Sequence, residues 1–255
     1  EKIAQTRHLS RAIGAVNRLV SERGESNAVS MAADVIFNYR KLNAEQRSKF
    51  FMALAEQFNI NVEALTKATQ SFSADPSARN YIRLQKISES PRQELLRRLN
   101  RAPGGTAAVV EMRRDLLSML HKKPELAGLD YDMRHLLSSW FNPGFLKMHR
   151  VDWKSPAEIL EKIIAHEAVH AIDGWDDLRR RLQPDRRCFA FFHPQLPNEP
   201  LIFVEVALLP EIPVAIMPLV DKKSLPVEQT NQYKVAAFYS ISNCESGLRG
   251  VSMGN

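Results

Sequence analysis

The chain is 255 residues long, carries a net charge of +6 at neutral pH, and is 44% hydrophobic. That length allows two domains or one large one, and no apolar run is long enough for a membrane helix, so we expect no membrane partner. No signal peptide is visible, and the 2 cysteines cannot build a disulfide framework, which favours a reducing compartment, taken here as the cytoplasm. The excess of basic residues fits an anionic partner such as a nucleotide-bearing cofactor. The first and last segments of the sequence suggest that it is part of a longer protein.

Residues 1–138 predict an all-helical bundle domain. Ala12, Val16 and Leu19 recur at helical spacing, and so do the apolar residues of 50–58. Further helices are predicted over 60–70, 76–88, 90–100, 106–121 and 128–141. The basic residues are expected on solvated faces without aromatic residues between them, so we expect no nucleic-acid partner. We predict a scaffold or oligomerisation role for this domain, which offers no candidate catalytic residue.

The pattern changes after residue 138, because residues 139–255 predict strands among helices. The whole chain is therefore predicted to be α+β. A strand is expected over 145–153. Residues 155–158, Ser-Pro-Ala-Glu, then predict a helix start in which the serine caps, the proline takes the first helical position and the glutamate closes a capping box.

The same helix is expected to run into His166, Glu167 and His170, a literal H-E-x-x-H motif. This spacing puts two imidazoles on one helical face, where they can hold zinc with the glutamate as general base. A zinc hydrolase needs a third ligand, and the longer H-E-x-x-H-x-x-G-x-x-H pattern is absent. The downstream candidates are Asp173, Asp176, Asp177 and Glu199. The alternative is a capped helix whose Glu167 and His170 make local hydrogen bonds.

Three apolar strands are predicted beyond this motif, over 188–193, 201–209 and 235–241. Residues 194–200 are expected to form the hairpin loop between the first two strands. Residues 210–226 are expected to form a proline-rich surface connection before the third.

Charged residues in and before these strands leave two questions open. Glu205 stands alone in an apolar strand, so it is either an inward functional carboxylate or an outward one. The basic run ahead of the strands is expected to be a solvated helix end rather than part of an anion site. It consists of Arg179, Arg180, Arg181, Arg186 and Arg187.

The last predicted strand leads into the glycine turn Gly247-Leu248-Arg249-Gly250. Glycine adopts turn angles that other residues avoid and lets a backbone approach a ligand closely. A strand that enters such a turn and then opens a helix presents unpaired N–H groups at a positive dipole end, which suits a phosphate. Arg249 adds a charge that can pair with phosphate. The alternative is an ordinary turn.

Four long stretches of the second half carry a family resemblance. They are LLSSWFNPGFLKMHRVDWKSPAEIL (136–160), EAVHAIDGWDDLRRRL (167–182), RRCFAFFHPQLPNEPLIFVEVAL (186–208) and AAFYSISNCESGLRGVSMG (236–254). In these stretches the chain resembles the malonyl-CoA decarboxylases. The resemblance implies an amino-terminal helical domain followed by a catalytic domain like the acetyltransferase (GNAT) fold, a mixed α/β acyl-CoA-binding domain that is incomplete in this chain.

The resemblance also implies a coenzyme A site at the glycine turn. In the GNAT fold a strand, a glycine loop and a helix N-terminus bind the CoA pyrophosphate. The matching positions are Glu245, Ser246, Gly247, Leu248, Arg249, Gly250 and Val251. Glutamine is usual near the start of that loop, where this chain has Glu245 and Ser246, so the side-chain contacts differ there. The family's catalytic serine and histidine are expected after Asn255, which leaves no catalytic residue in this chain.

The implied chemistry converts malonyl-CoA to acetyl-CoA and CO2 through an enolate on the thioester oxygen. Preorganised donors stabilise that charge and a proton is given to carbon. No metal, biotin or pyridoxal phosphate is expected, because the thioester is the electron sink and the CoA moiety of the substrate is enough. The resemblance also argues against zinc, since the family pattern includes Glu167 and His170 but not His166.

The implied partners are malonyl-CoA, acetyl-CoA and further copies of the chain, which are expected to associate through the helical domain. Two alternatives belong to other functional classes. One is a zinc-dependent hydrolase that uses His166, Glu167 and His170. The other is a non-decarboxylating acyl-CoA-binding protein or acyltransferase with the same fold.

Overall fold

A computed structural model describes residues 2–22, 24–224 and 233–253. The chain divides into two compact units, Glu1–Trp140 and Phe141–Asn255. The functional roles predicted for the two domains stay predictions. Within the described parts of the chain, no helix combines the length and the apolar content that a membrane crossing requires.

The first unit is helical throughout its described residues. Its helices are α1 (Lys2–Ser21), α2 (Glu25–Arg40), α3 (Ala44–Gln57), α4 (Val62–Ala74), α5 (Ala78–Ser88), α6 (Pro91–Asn100), α7 (Gly105–Met119) and α8 (Ala127–Trp140). The helices predicted between residues 60 and 141 are confirmed. Their ends follow local chemistry, as at α3, where the Asn43 side chain accepts from the N–H of Gln46 and the Gln46 side chain accepts from the N–H of Asn43.

Two contacts fix the middle of this unit. Gly105 opens α7 so close to α6 that an added Cβ would lie 1.9 Å from the carbonyl oxygen of Leu99. Between α6 and α8, the buried carboxylate of Asp132 accepts hydrogen bonds from Ser90 Oγ at 2.7 Å and from Arg92 Nε at 2.8 Å. A buried charge is tolerated when it is paired and hydrogen-bonded, as Asp132 is.

The second unit contains an antiparallel sheet with helices. Its elements are β1 (Lys147–Val151), α9 (Ala157–His166), α10 (Gly174–Arg181), β2 (Arg186–His193), β3 (Leu196–Leu209), α11 (Met217–Val220) and β4 (Val235–Asn243). The strand order is β1-β2-β3-β4, and each neighbouring pair is antiparallel. Helices followed by such a sheet confirm the predicted α+β class. The likeness to the GNAT fold stays a prediction.

Helices α9 and α10 cover one face of this sheet. Leu160 and Ile163 of α9 and Leu178 of α10 are buried in one cluster with side chains from the strands, including Phe203 of β3. This packing holds the end of α9 next to the end of β4.

Two local predictions in this unit were wrong. Residues 194–200 do not form a long loop, because β3 already begins at Leu196, which pairs with His193, and the extra residues are taken up as irregularities of register. The capping box at the start of α9 is absent as well. The Ser155 hydroxyl accepts instead from the N–H of Asp152 at 3.1 Å, and Pro156 is the cap residue without a side-chain hydrogen bond.

Candidate functional site at the end of β4

The predicted glycine turn is a compact loop that follows β4 directly. The Cys244 N–H still bonds the Leu201 carbonyl of β3 at 2.9 Å. A single 3-10 turn, Ser246–Leu248, comes next, and Gly250 then takes a φ of 75°. That angle lies in the left-handed region, which glycine occupies without strain. Within the described residues the segment opens no longer helix, so the predicted helix N-terminus is reduced to one turn.

Several loop amides already have acceptors inside the loop. The Glu245 carboxylate accepts from the Gly247 N–H at 2.8 Å, the Leu248 N–H bonds the Glu245 carbonyl at 3.0 Å, and the Val251 N–H bonds the Leu248 carbonyl at 2.9 Å. In this conformation the predicted row of open amides is therefore partly closed. An anion that takes the Gly247 amide has to displace the Glu245 side chain.

A cavity of about 390 Å³ lies against this loop. Its lining includes six of the seven predicted positions, namely Glu245, Ser246, Leu248, Arg249, Gly250 and Val251. The seventh, Gly247, is buried in the turn. The rest of the lining consists of His166, Asn243, Cys244 and Met253. The positive charge of Arg249 suits an anionic group, while the Glu245 carboxylate opposes one.

Sequence reasoning missed His166 and Cys244 as lining residues of this cavity. Cys244 follows β4, and burial raises the pKa of its thiol to about 12. This shift disfavours the thiolate form at physiological pH. His166 comes from the end of α9, more than 70 positions away in sequence, so no local pattern joins it to the loop.

The H-E-x-x-H segment is not one continuous helix, because α9 ends at His166 and Glu167 is its cap residue in an extended conformation. The expected face with two imidazoles therefore does not form. Glu167 is buried and accepts from the N–H groups of Val169 and His170 at 2.9 and 2.8 Å. These are local hydrogen bonds of the kind that the alternative interpretation predicted for the glutamate. The described residues contain no group of three metal-ligating side chains.

Two serines of β4 also bind the Glu167 carboxylate. The Ser240 hydroxyl lies 2.7 Å from Oε1 and 2.8 Å from Oε2, and the Ser242 hydroxyl donates to Oε2 at 3.1 Å. Both serines are buried. A bulge in the pairing of β3 with β4 precedes them and turns them inward together with Tyr239. The only sequence feature that could have indicated this contact is the pair of serines two positions apart in an apolar strand.

A second buried ionic cluster lies next to this one. Arg181 donates to Glu205 Oε2 at 2.8 Å, to Asp177 Oδ1 at 3.1 Å and to the His170 carbonyl at 2.8 Å. Glu205 therefore points inward, and burial raises its pKa to about 7 although Arg181 opposes this shift. Its other oxygen, Oε1, is buried without a hydrogen-bond partner within the described residues.

The predicted solvated helix end was wrong for three of its arginines. Arg181 is buried between the two carboxylates described above, and Arg180 and Arg186 are buried around Asp185. Arg180 binds Asp185 through both of its terminal nitrogens, at 2.8 and 3.0 Å. These side chains brace the fold and are not available to an external anion.

A helical unit that precedes an antiparallel sheet unit in the sequence, with a cavity at a glycine turn, defines an α+β protein with a candidate ligand site on its sheet unit. A sequence profile described as the malonyl-CoA decarboxylase N-terminal domain matches residues 58–141, and one described as the C-terminal domain matches residues 144–255. The chain belongs to the malonyl-CoA decarboxylase family.

Individual relatives agree with this assignment. The mitochondrial malonyl-CoA decarboxylases of Anser anser anser and Mus musculus are 35% and 33% identical over 92% and 91% of this chain. The chain spans about half of their length, 49% and 50% respectively. The crystal structure of malonyl-CoA decarboxylase from Rhodopseudomonas palustris is 48% identical with a TM-score of 0.88, covering 96% of this chain and 60% of that one. The Agrobacterium vitis structure is 47% identical with a TM-score of 0.87, covering 93% and 58%.

Proposed function

We propose that this chain supplies the helical domain and the coenzyme A-binding part of an enzyme that converts malonyl-CoA to acetyl-CoA and CO2. The observation that carries the proposal is the cavity at the end of β4, whose lining contains six of the seven residues expected to bind CoA. Family membership supports the reaction, since both family profiles and the named relatives are malonyl-CoA decarboxylases.

In this proposal the chain's own residues bind the diphosphate and orient the thioester. Arg249 pairs with a phosphate oxygen, and the loop amides donate to the diphosphate once the Glu245 carboxylate has released Gly247. Loss of CO2 leaves an enolate, which requires preorganised hydrogen-bond donors and then a proton donor. We assign neither role to His166, His170 or Cys244, and we expect the serine and histidine for these steps after Asn255.

Decarboxylation is tested by measuring CO2 and acetyl-CoA from malonyl-CoA with the full-length protein, without added metal and in the presence of a chelator. We expect both products in equal amounts. A folded sample that forms neither product contradicts the proposal. Transfer of the acyl group to an added amine without CO2 release supports the acyltransferase alternative, and activity that disappears with the chelator supports a metal-dependent one.

The role of the glycine turn is tested by Gly250→Ala. Its φ of 75° costs an alanine about 1–2 kcal/mol, so the loop is expected to shift and the KM for malonyl-CoA to rise several-fold. Gly104→Ala is the matched control, since Gly104 has a φ of 70° in the helical unit and nothing within 4 Å of an added Cβ. A similar loss of stability with an unchanged KM is expected there. Equal KM values for both variants would show that the glycine turn does not contribute to substrate binding.

We further propose that the chain associates with copies of itself through the helical unit. Phe37 and Tyr131, which are 59% and 58% exposed there, are candidate contact residues for such an interface. Light scattering of the full-length protein tests this, and a monomer at micromolar concentration contradicts it. The cytoplasm remains the proposed location, although the Anser anser anser and Mus musculus relatives are named as mitochondrial, and cell fractionation decides between the two.

A further inference from the structure

We infer that Glu167 is a positioning residue for the proposed coenzyme A loop. Its carboxylate fastens the turn after α9 to the end of β4 and so holds the two sides of the loop cavity in register. This inference rests on the proposed function, because it concerns how the same cavity binds its ligand.

The Glu167 carboxylate is saturated with donors from two separate segments. From its own segment it accepts the N–H groups of Val169 and His170, and from β4 it accepts the hydroxyls of Ser240 and Ser242. A fifth hydrogen bond runs beside these, from the Ala168 N–H to the Ser242 hydroxyl at 3.1 Å. Hydrogen bonds to a buried carboxylate are among the stronger ones in proteins, so this link is stiff.

Both segments joined by this link also contribute residues to the cavity lining. His166, immediately before Glu167, lines the cavity, and Asn243, immediately after Ser242, lines it from β4. The loop that follows begins two positions beyond Ser242. A shift of the β4 end relative to α9 is therefore passed directly to the residues that face the ligand.

The chemistry of the ligand makes its binding sensitive to the relative position of α9 and the end of β4. A diphosphate bound by main-chain amides needs several donors at hydrogen-bond distance at once, so a small displacement weakens several bonds together. An apolar contact would tolerate the same displacement. The effect of the link should therefore appear in the affinity for the diphosphate part of coenzyme A, and not in the affinity for its pantetheine arm.

The experiment measures the Kd of CoA and of pantetheine for the full-length protein and for Ser240→Ala, Ser242→Ala and Glu167→Gln. The two serine variants each remove one donor from the carboxylate and leave Glu167 in place, so they keep the test valid if the glutamate variant does not fold. Each variant is expected to raise the Kd of CoA about tenfold and to leave the Kd of pantetheine unchanged. In the decarboxylation assay each is expected to raise KM for malonyl-CoA more than it lowers kcat.

Ser90→Ala is the matched control, because it removes a buried serine hydroxyl from a buried carboxylate, Asp132, in the helical unit. We expect it to lower the melting temperature as much as Ser240→Ala and to leave both Kd values unchanged. CoA affinity that stays at the wild-type value in the two β4 serine variants, or that falls equally in Ser90→Ala, overturns the inference. A wild-type protein that does not bind CoA at all overturns the proposed function as well, which separates the two failures.

Discussion

At the scale of single residues, one guanidinium serves two buried carboxylates in the sheet unit. Arg181 binds both Asp177 and Glu205, while Glu167 adds a further negative charge close to Glu205. Burial is the main cause that raises the pKa of Glu205, to about 7, and Glu167 adds to it. A group of this kind takes up a proton on folding, because its pKa in the unfolded chain is close to the ordinary 4.5.

Glu205 is therefore expected to make the stability of the sheet unit pH-dependent. Its folded pKa lies above its unfolded one, so its contribution is complete below pH 4.5 and is lost as pH rises through 7. The whole change amounts to about 3 kcal/mol at most. Urea unfolding of wild type and Glu205→Gln between pH 5 and 8 checks this. The wild type should lose stability relative to the variant as pH rises, and parallel profiles would show that Glu205 stays ionised throughout.

At the scale of elements, the helices were predictable where the apolar spacing and the breaks are local. The end of α9 was not, because Glu167 stops the helix through serines of β4 that lie 73 and 75 positions away. The start of β3 was missed for a different reason, because Leu196 pairs with His193 in a hairpin tighter than the proline-rich stretch 194–200 suggested. A tertiary contact therefore decided the end of α9 against the local pattern, while the start of β3 depends on a local pairing.

The junction of α6 and α7 is the clearest place to test an element by substitution. Gly105→Ala would bring a methyl group to 1.9 Å from the Leu99 carbonyl oxygen, so the two helices must shift, at a cost of about 3 kcal/mol. Gly14→Ala inside α1 meets only the Arg18 side chain, at 3.7 Å, and is expected to stabilise by about 0.5–1 kcal/mol. Chemical denaturation measures both. Similar changes in unfolding free energy for the two substitutions would mean that the junction of α6 and α7 accommodates the added methyl group at little cost.

At the scale of the whole molecule, the candidate site was predictable only where its residues are contiguous. The stretch from Glu245 to Val251 forms one loop, so a sequence motif located it. The cavity lining also contains His166 from the end of α9, and Glu167, the next residue, is hydrogen-bonded to Ser240 and Ser242 of β4. These residues meet only because α9 packs on the sheet beside β4. The sequence could not predict that the Gly247 amide is already hydrogen-bonded either, because this bond depends on the rotamer of the Glu245 side chain.

The division of the chain leads to a prediction about the helical unit by itself. Helix α6 packs against α2, α7 and α8, and its Leu95, Leu96 and Leu99 are fully buried. A core supplied by the unit's own helices should fold without the rest of the chain. We therefore expect residues 1–140, expressed alone, to be helical by circular dichroism and to unfold cooperatively in urea.

Leu96→Ala provides the quantitative check of that expectation. It removes a buried side chain that is 1% exposed, so it should cost about 2–5 kcal/mol. If the helical unit folds by itself, the substitution lowers its unfolding free energy by the same amount in residues 1–140 as in the full-length protein. An exposed substitution in the same unit, Lys86→Ala on α5, should change neither value by more than about 0.5 kcal/mol. A fragment that lacks a cooperative transition, or that is insensitive to Leu96→Ala, would show that the core of this unit needs residues beyond 140.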